Sequence, residues 1–375
     1  MEIYTCRSKD NVYNIARRCH TDPAELIRLN RLNNACTLPE GLSLLIPGGG
    51  RSAENPARFF LCSSRRLPDS LHRELSAYLS AMVFCNGRLL PEGSLAPASF
   101  TQSACFRSQG LLPVLSVNNR DENSAYDSNA LHRLVQDYDS RMCFSQQVSE
   151  ALENGSFGGL CLQFAYIRPF DGDNLSLLLE ELSGALHRQG KYLLFSAPPR
   201  LGGQDSSPAS AGLDFDALGR FCDFILLQCY DWGHGDSAPQ SVAPLHRVRQ
   251  SIGYALDHVP GSKLLLGISD HGYRWKLPWR QGQKADSISH HIAQSLAISN
   301  CAAIGFDRLS QTPFFSFAAS DRQRCMVCFE DVRSLLLKLE LINEYSLAGA
   351  ALFSDHPDSR LLYMMQELFD LEKLM

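Results

Sequence analysis

The sequence predicts an α/β protein: a (β/α)8 barrel of the TIM type, preceded by a small βααβ module and interrupted by a small α+β insertion between strands seven and eight. Three observations predict it. Eight apolar, mostly non-alternating runs of β-prone residues recur between residues 58 and 353, as expected of parallel strands covered on both faces. Stretches with helical periodicity, such as 175–189 and 331–345, lie between them, and that alternation builds a parallel sheet with functional residues at the carboxyl ends of its strands. The 375 residues also exceed the ~250 that a barrel usually takes, leaving room for an extra module.

Composition narrows the function. Hydrophobic residues make up 45% and charged residues 20%, an ordinary soluble globular balance. The net charge of -5, with no long run of Lys or Arg, lacks the footprint of a nucleic-acid binder and suits a neutral partner such as a glycan. No run reaches about 18 apolar residues, so no membrane span is expected. Met1-Glu2-Ile3-Tyr4 leads straight into structured sequence, so no signal peptide and synthesis in the cytoplasm are expected. The 13 cysteines are scattered; Cys325 and Cys328 form a Cys-x-x-Cys inside a strand-like segment, without a second pair at metal spacing. Reduced structural thiols, no metal and no cofactor are the expectation.

Along the chain, residues 1–47 read as strand, helix, helix, strand. Ile3-Tyr4-Thr5 is β-prone, and Asp10 is expected to cap a helix carrying Val12, Ile15 and Ala16 on one face. Thr21-Asp22-Pro23 starts a second helix, with proline in its first turn and Leu26, Ile27 and Leu29 inside. Leu38-Pro39-Glu40-Gly41 turns into a strand from Leu42 to Pro47. The helix start, the Ile15-Ala16 pair, the Leu26-x-x-x-Asn30 step and the closing Ile46-Pro47 together resemble a LysM domain over its whole length. That resemblance implies binding of N-acetylglucosamine polymers in a groove between loops 8–12 and 30–38. Lys9, Asp10, Asn11, Asn30 and Leu32 are the candidate contacts there. The plainer reading is that Asp10 only caps a helix and Asn30 only shapes a turn.

Residues 48–57, opening Gly48-Gly49-Gly50, read as a flexible linker. The barrel is then 58–375. Its strands are expected at Arg58–Ser63, Ala81–Asn86, Leu111–Val117, Gly159–Tyr166, Tyr192–Ala197, Asp223–Tyr230, Lys263–Ser269 and Gly349–Phe353. About 80 residues separate the last two, far beyond a usual loop. Ile304-Gly305-Phe306 and Phe314 to Phe317 suggest further strands in an insertion at about 273–329.

Several segments of the barrel carry a second resemblance. Cys229-Tyr230-Asp231 at the end of strand six, Leu264 to Ile268, Gly272-Tyr273-Arg274-Trp275, Ser310 to Phe315 and Phe329 to Ser334 are similar to the family 18 glycoside hydrolases of the spore-germination, cortex-lytic branch. That branch also places LysM domains before its barrel. The resemblance implies an Asp-x-x-x-Asp-x-Glu pattern closing strand four, with alternation pointing the last two acids into one cleft. The Glu protonates the glycosidic oxygen, and the Asp orients the substrate's acetamide, whose oxygen is the nucleophile. This departs from the usual two-carboxylate scheme.

Here that segment reads Phe157-Gly158-Gly159-Leu160-Cys161-Leu162-Gln163-Phe164-Ala165-Tyr166. Gly159 falls at the first acid, Gln163 at the orienting Asp and Ala165 at the proton donor. Alanine donates no proton, and loss of a positioned general acid forfeits ~10²- to 10⁴-fold in rate. Asp171, Asp173 and Glu180 follow in what reads as a surface turn and helix, while Asp231 is the better placed substitute acid. Phe84-Cys85-Asn86 stands where the branch has Ser-Tyr after a Phe, His271 where it has Tyr, and Phe353 where it has a subsite Trp. His271 beside Asp270 reads as a solvated histidine rather than a metal ligand or base.

The expected cleft is therefore Gln163, Tyr230, Asp231 and Phe353, with Ala165 beside them around one mouth and no catalytic residue at Gly159, Gln163 or Ala165. Three functions remain open. The first is a non-catalytic binder of peptidoglycan or a chitin-like glycan, associated with the spore coat or cortex. The second is a peptidoglycan N-acetylglucosaminidase with a non-standard acid. The third is a structural coat protein that joins other coat proteins. One barrel hosts many functions, so fold does not choose among them.

Overall fold

The computed structural model describes residues 1–32, 37–48, 55–65, 67, 69–96, 103–202 and 207–374. The N-terminal module is a two-stranded antiparallel ribbon, β1 (Glu2–Thr5) and β2 (Ser43–Ile46), paired Glu2 with Ile46 through Thr5 with Ser43. Two helices, α1 (Val12–Arg18) and α2 (Pro23–Asn30), cover it. Asp22 caps α2 and proline occupies its first turn. The cap of α1 differs from expectation: it is Asn11, in a reciprocal capping box with Asn14. Asp10 is instead turned inward, 4% exposed, accepting hydrogen bonds at 2.8 Å from the Tyr4 hydroxyl and the Arg7 N–H. Its carboxylate satisfies a β1 side chain and a backbone group of the preceding loop, and the next residue is left to close the helix.

Eight parallel strands then close a barrel: β3 (Asn55–Ser63), β4 (Ala81–Arg88), β5 (Leu112–Asn118), β6 (Gly159–Gln163), β7 (Tyr192–Ala197), β8 (Phe224–Leu227), β9 (Leu264–Ser269) and, after five insertion strands, β15 (Gly349–Phe353). The insertion strands are β10 (His271–Leu277), β11 (Asp286–Ser289), β12 (Gly305–Asp307), β13 (Thr312–Ala318) and β14 (Arg324–Cys328). They form one antiparallel sheet in the order β11-β10-β14-β13-β12. The ring closes where β15 pairs with both β9 and β3. A last short strand, β16 (Phe369–Leu371), pairs with residues 55–57 of β3. Those three residues, expected in a flexible linker, are thus strand; residues 49–54 of the expected linker lie outside the described residues.

Alternation along the strands separates two cores. Phe60, Cys62, Val83, Val114, Cys161, Leu194, Leu226 and Leu265 fill the lumen. Phe59, Leu61, Leu160, Leu162, Phe164 and Ile225 face outward into a shell with the helices.

The N-terminal module is docked rather than tethered. Val12, Ile15, Leu26, Leu38 and Leu44 share one buried cluster with Ile288, Ala293, Ile304, Phe315, Val327 and Phe329 of the insertion. Ile304 N–H donates to the Glu40 carbonyl at 2.8 Å, and the buried Gln294 amide to the Asn30 carbonyl at 2.8 Å. Gly41, at φ +81°, lets the two backbones touch: a Cβ there would lie 1.9 Å from the Ile304 carbonyl oxygen.

Candidate functional site

The carboxyl ends of the barrel strands surround a cleft of about 390 Å³, within the range of small-ligand sites. Gln163 (end of β6), Tyr230 and Asp231 (just past β8) and Phe353 (end of β15) all line it. The outward burial of Leu160, Leu162 and Phe164 explains why Gln163 points in. Tyr230 stands beside Phe353, ring centroids 5.1 Å apart, as an aromatic wall. Gly267 of β9 makes room for it: a Cβ there would lie 2.2 Å from the Leu227 carbonyl oxygen and 3.2 Å from the Tyr230 ring.

Ala165 lies at the same mouth but is 4% exposed and does not line the cleft. The buried Asn119 holds it by both backbone groups, donating to its carbonyl at 2.9 Å and accepting from its N–H at 3.1 Å. Tyr166 then takes a left-handed φ of +57° and turns the chain out. Gly159 is not part of the site. It opens β6 at the far end, where a Cβ would meet the Tyr192 carbonyl oxygen at 2.9 Å.

The opposite wall is charged. His271 does not stand in solvent as expected: its Nε2 is 2.9 Å from Asp231 Oδ1 and its Nδ1 3.6 Å from Asp270 Oδ1. Burial alone would lower its pKa, but hydrogen bonds to Asp231 and then Asp270 lift it to about 9, so the ring carries a proton at neutral pH. The Tyr273 hydroxyl donates to Asp231 at 3.1 Å, and Ser354 Oγ donates to Asp270 at 2.6 Å. Asp231 holds this position with φ +60°, a left-handed conformation that costs a non-glycine residue ~1–3 kcal/mol. Among the described residues no group of three or more His, Cys, Asp or Glu side chains is arranged to hold a metal ion.

The remaining acids lie elsewhere. Asp171, expected on a surface turn, is 1% exposed and bonded to His132 Nδ1 at 2.7 Å, because the 3-10 turn Pro169–Asp171 runs directly into the helix Gly172–His187. Asp173 and Glu180 are exposed on that helix. Among the cleft-lining residues that escaped the sequence reading are Cys62, Arg120, Tyr126 and Asp355. Arg120 stacks on Tyr126, 4.1 Å from its ring centroid, and Tyr126 meets the exposed Tyr166 at 5.2 Å. The position of Arg120 and Tyr126 just after β5 was the available signal, since strand-end loops carry a barrel's chemistry.

In the N-terminal module, Lys9 is exposed, but the other candidates are engaged. Asn30 is fully buried; its amide donates to the Leu26 and Leu45 carbonyls and accepts from Leu45 N–H. It ties α2 to β2 and offers no side-chain atom to a groove. Leu32, 3% exposed, is core, and Asn11 is spent on its capping box. Residues 33–36 of the second groove loop lie outside the described residues.

Residues 96–358 match the Glycosyl hydrolases family 18, and residues 4–47 match the LysM domain. The chain belongs to glycosyl hydrolase family 18. This family 18 chain is 30% identical to the cortical fragment-lytic enzyme of Bacillus subtilis (strain 168), over 74% of this chain and 64% of that protein. It is 24% identical to the cortical fragment-lytic enzyme of Bacillus anthracis, over 93% of this chain and 94% of that one. The fold matches the crystal structure of the Bacillus cereus spore cortex-lytic enzyme SleL with a TM-score of 0.87, covering 99% of each chain at 21% identity.

Proposed function

We propose that this chain is a non-catalytic binder of an N-acetylglucosamine-containing glycan, peptidoglycan or a chitin-like polymer, acting at the spore coat or cortex. The observation that carries it is the end of β6. A cleft of sugar-binding size remains, walled by Tyr230 and Phe353, while Gln163 and a buried Ala165 stand where the family pattern has its orienting Asp and proton donor. Gln163 still offers a hydrogen bond to an acetamide but no charge to a developing oxazolinium. The LysM module supplies a second glycan contact. The relatives named for lysis of spore cortex fragments support the spore setting and peptidoglycan as the glycan, with spore coat proteins as neighbours.

One observation favours a second reading, a hydrolase with a non-standard acid: the protonated His271 bound to Asp231 in the same cleft. A general acid needs a proton and reach, and this pair carries the proton. The two readings separate in assays of the wild type and of the double variant Gln163→Asp, Ala165→Glu, with a chromogenic N-acetylglucosaminide and with cortex fragments. The binding reading expects no turnover by the wild type. Wild-type turnover on the order of 1–10³ per second, abolished by Asp231→Asn, would refute it in favour of the hydrolase.

A further inference from the structure

Charge is unevenly spread around the cleft. Asp231, Asp270 and Asp355 stand on the wall that follows β8, β9 and β15. Each is engaged: the first two hold His271, and Asp355 accepts from Ser63 Oγ at 2.7 Å and pairs with Arg65 at 3.2 Å. Arg120 lies just past β5, the strand opposite β9 in the ring. Among the described residues it has no carboxylate partner. Its sequence neighbours are turned elsewhere: Asp121 accepts from the Asn123 and Ala125 N–H groups, both at 2.9 Å, and Glu122 lies 3.6 Å from Arg88. The Arg120 side chain is nevertheless fixed. Its guanidinium carbon is 4.1 Å from the Tyr126 ring centroid, while Nη2 donates to the Tyr126 hydroxyl at 2.7 Å and Nη1 to the Ser124 carbonyl at 3.0 Å. Its backbone N–H donates to Asn118 Oδ1 at 2.9 Å. Two of the five guanidinium N–H donors are thus used, and the other three meet no protein acceptor among the described residues. A guanidinium already stacked on a ring loses little further freedom on binding a planar anion, and its fork matches a carboxylate. Position completes the case. Asn118 pairs with Gln163 across β5 and β6, so Arg120 is two residues, about 7 Å of extended chain, beyond Gln163 towards solvent. An acetamide bonded to Gln163 leaves the next sugar of its polymer within reach of Arg120.

We infer that Arg120 is the specificity-determining residue of the cleft: its guanidinium binds a carboxylate on the sugar next to the one held at Gln163. The cleft therefore selects an amino-sugar polymer carrying free lactyl carboxylates over a neutral, chitin-like one; this rests on the glycan-binding reading above and sharpens it. The acids across the cleft repel the same group, so the polymer lies in one direction, with its carboxylate on the β5 side. A purely structural Arg120, fastening the 120–126 turn through Ser124, would give no preference between the two glycans.

The test follows hydrogen exchange of the full chain in peptides covering 118–128 and 159–167, which reports cleft occupancy apart from the LysM module. Three ligands are titrated: a disaccharide of N-acetylglucosamine and N-acetylmuramic acid, the same disaccharide amidated at its lactyl carboxyl, and the dimer of N-acetylglucosamine. The acid form half-protects these peptides at a concentration roughly five- to thirty-fold below the amide and the dimer. In Arg120→Met that ratio falls below about twofold, and Arg120→Lys, which keeps the charge but not the fork, keeps part of it. Equal half-protection by acid and amide in the wild type overturns the proposal and leaves glycan binding standing. So does a preference that survives Arg120→Met. The acid-against-amide comparison needs no variant, so it decides even where Arg120→Met misfolds. Cleft peptides protected by none of the three ligands overturn the binding reading of the cleft and the role of Arg120 together.

Discussion

Gly41→Ala is expected to loosen the LysM module from the barrel, and its cost follows from two separable terms. The first is conformational: at φ +81° an L side chain costs ~1 kcal/mol. The second is steric. The new Cβ would lie 1.9 Å from the Ile304 carbonyl oxygen and 2.9 Å from its carbon, and backbone cannot yield as a flexible side chain does. Relief requires the module to shift off the insertion, straining the Ile304 to Glu40 hydrogen bond and the Arg333 contact to the Gly41 carbonyl. Overpacking of this kind costs ~1–3 kcal/mol, for a total of about 2–4 kcal/mol. Gly48→Ala is the control, because Gly48 has φ +107° but nothing within 4 Å of its Cβ position, so only the conformational term applies. Hydrogen exchange of α1, α2 and β2 amides reads the difference. Each 1.4 kcal/mol is tenfold, so Gly41→Ala accelerates exchange by ~30- to 700-fold and Gly48→Ala by tenfold or less. Equal effects from the two variants would refute the docking argument. An isolated fragment 1–48 that exchanged as slowly as the whole chain would refute it too.

Two further outcomes follow from buried charge. Lys338 Nζ lies 2.7 Å from Glu330 Oε2 with both side chains buried, so Lys338→Met strands a carboxylate and destabilises by ~3–5 kcal/mol in chemical denaturation; adding Glu330→Gln recovers most of that loss, and no recovery would rule out pairing as the cause. Stability is greatest near pH 6.5, set by two histidines shifted in opposite directions. His271 is raised to about 9, so its contribution is complete below about 6.5 and lost as pH rises through 9; with Asp231 about 38% exposed, screening limits it to ~1–2 kcal/mol. Burial lowers His290 to about 4, so stability also falls as pH drops from 6.5 towards 4. His271→Gln removes the alkaline limb alone, and denaturation midpoints across pH that were flat from 6.5 to 9 would contradict the His271 pairing.

Local pattern was enough for the fold and for half of the cleft. Parallel barrel strands are apolar on both faces, so their runs stand out from the helices between them, and strand ends mark the functional rim. Period-two alternation pointed both Gln163 and Ala165 into the cleft, but only Gln163 lines it, because the strand ends there and Asn119 holds Ala165 by its backbone. Tyr230, Asp231 and Phe353 were marked by the family resemblance together with their positions at or past strand ends. Contacts between residues distant in sequence carry no such period. That Asp10 bonds backward to Tyr4 and Arg7 while Asn11 caps the helix depends on competition among neighbouring acceptors. That Asn30 is sealed against Leu45 and His271 clamped between Asp231 and Asp270 depends on which strands the barrel and its insertion bring together. The docked LysM module shows the same limit: glycines at 48–50 read as freedom, but the shared burial of Ile15, Leu26, Ile304 and Phe329 decides the arrangement. Apolar area removed from water acts across any length of chain, and only the tertiary structure says which surfaces meet.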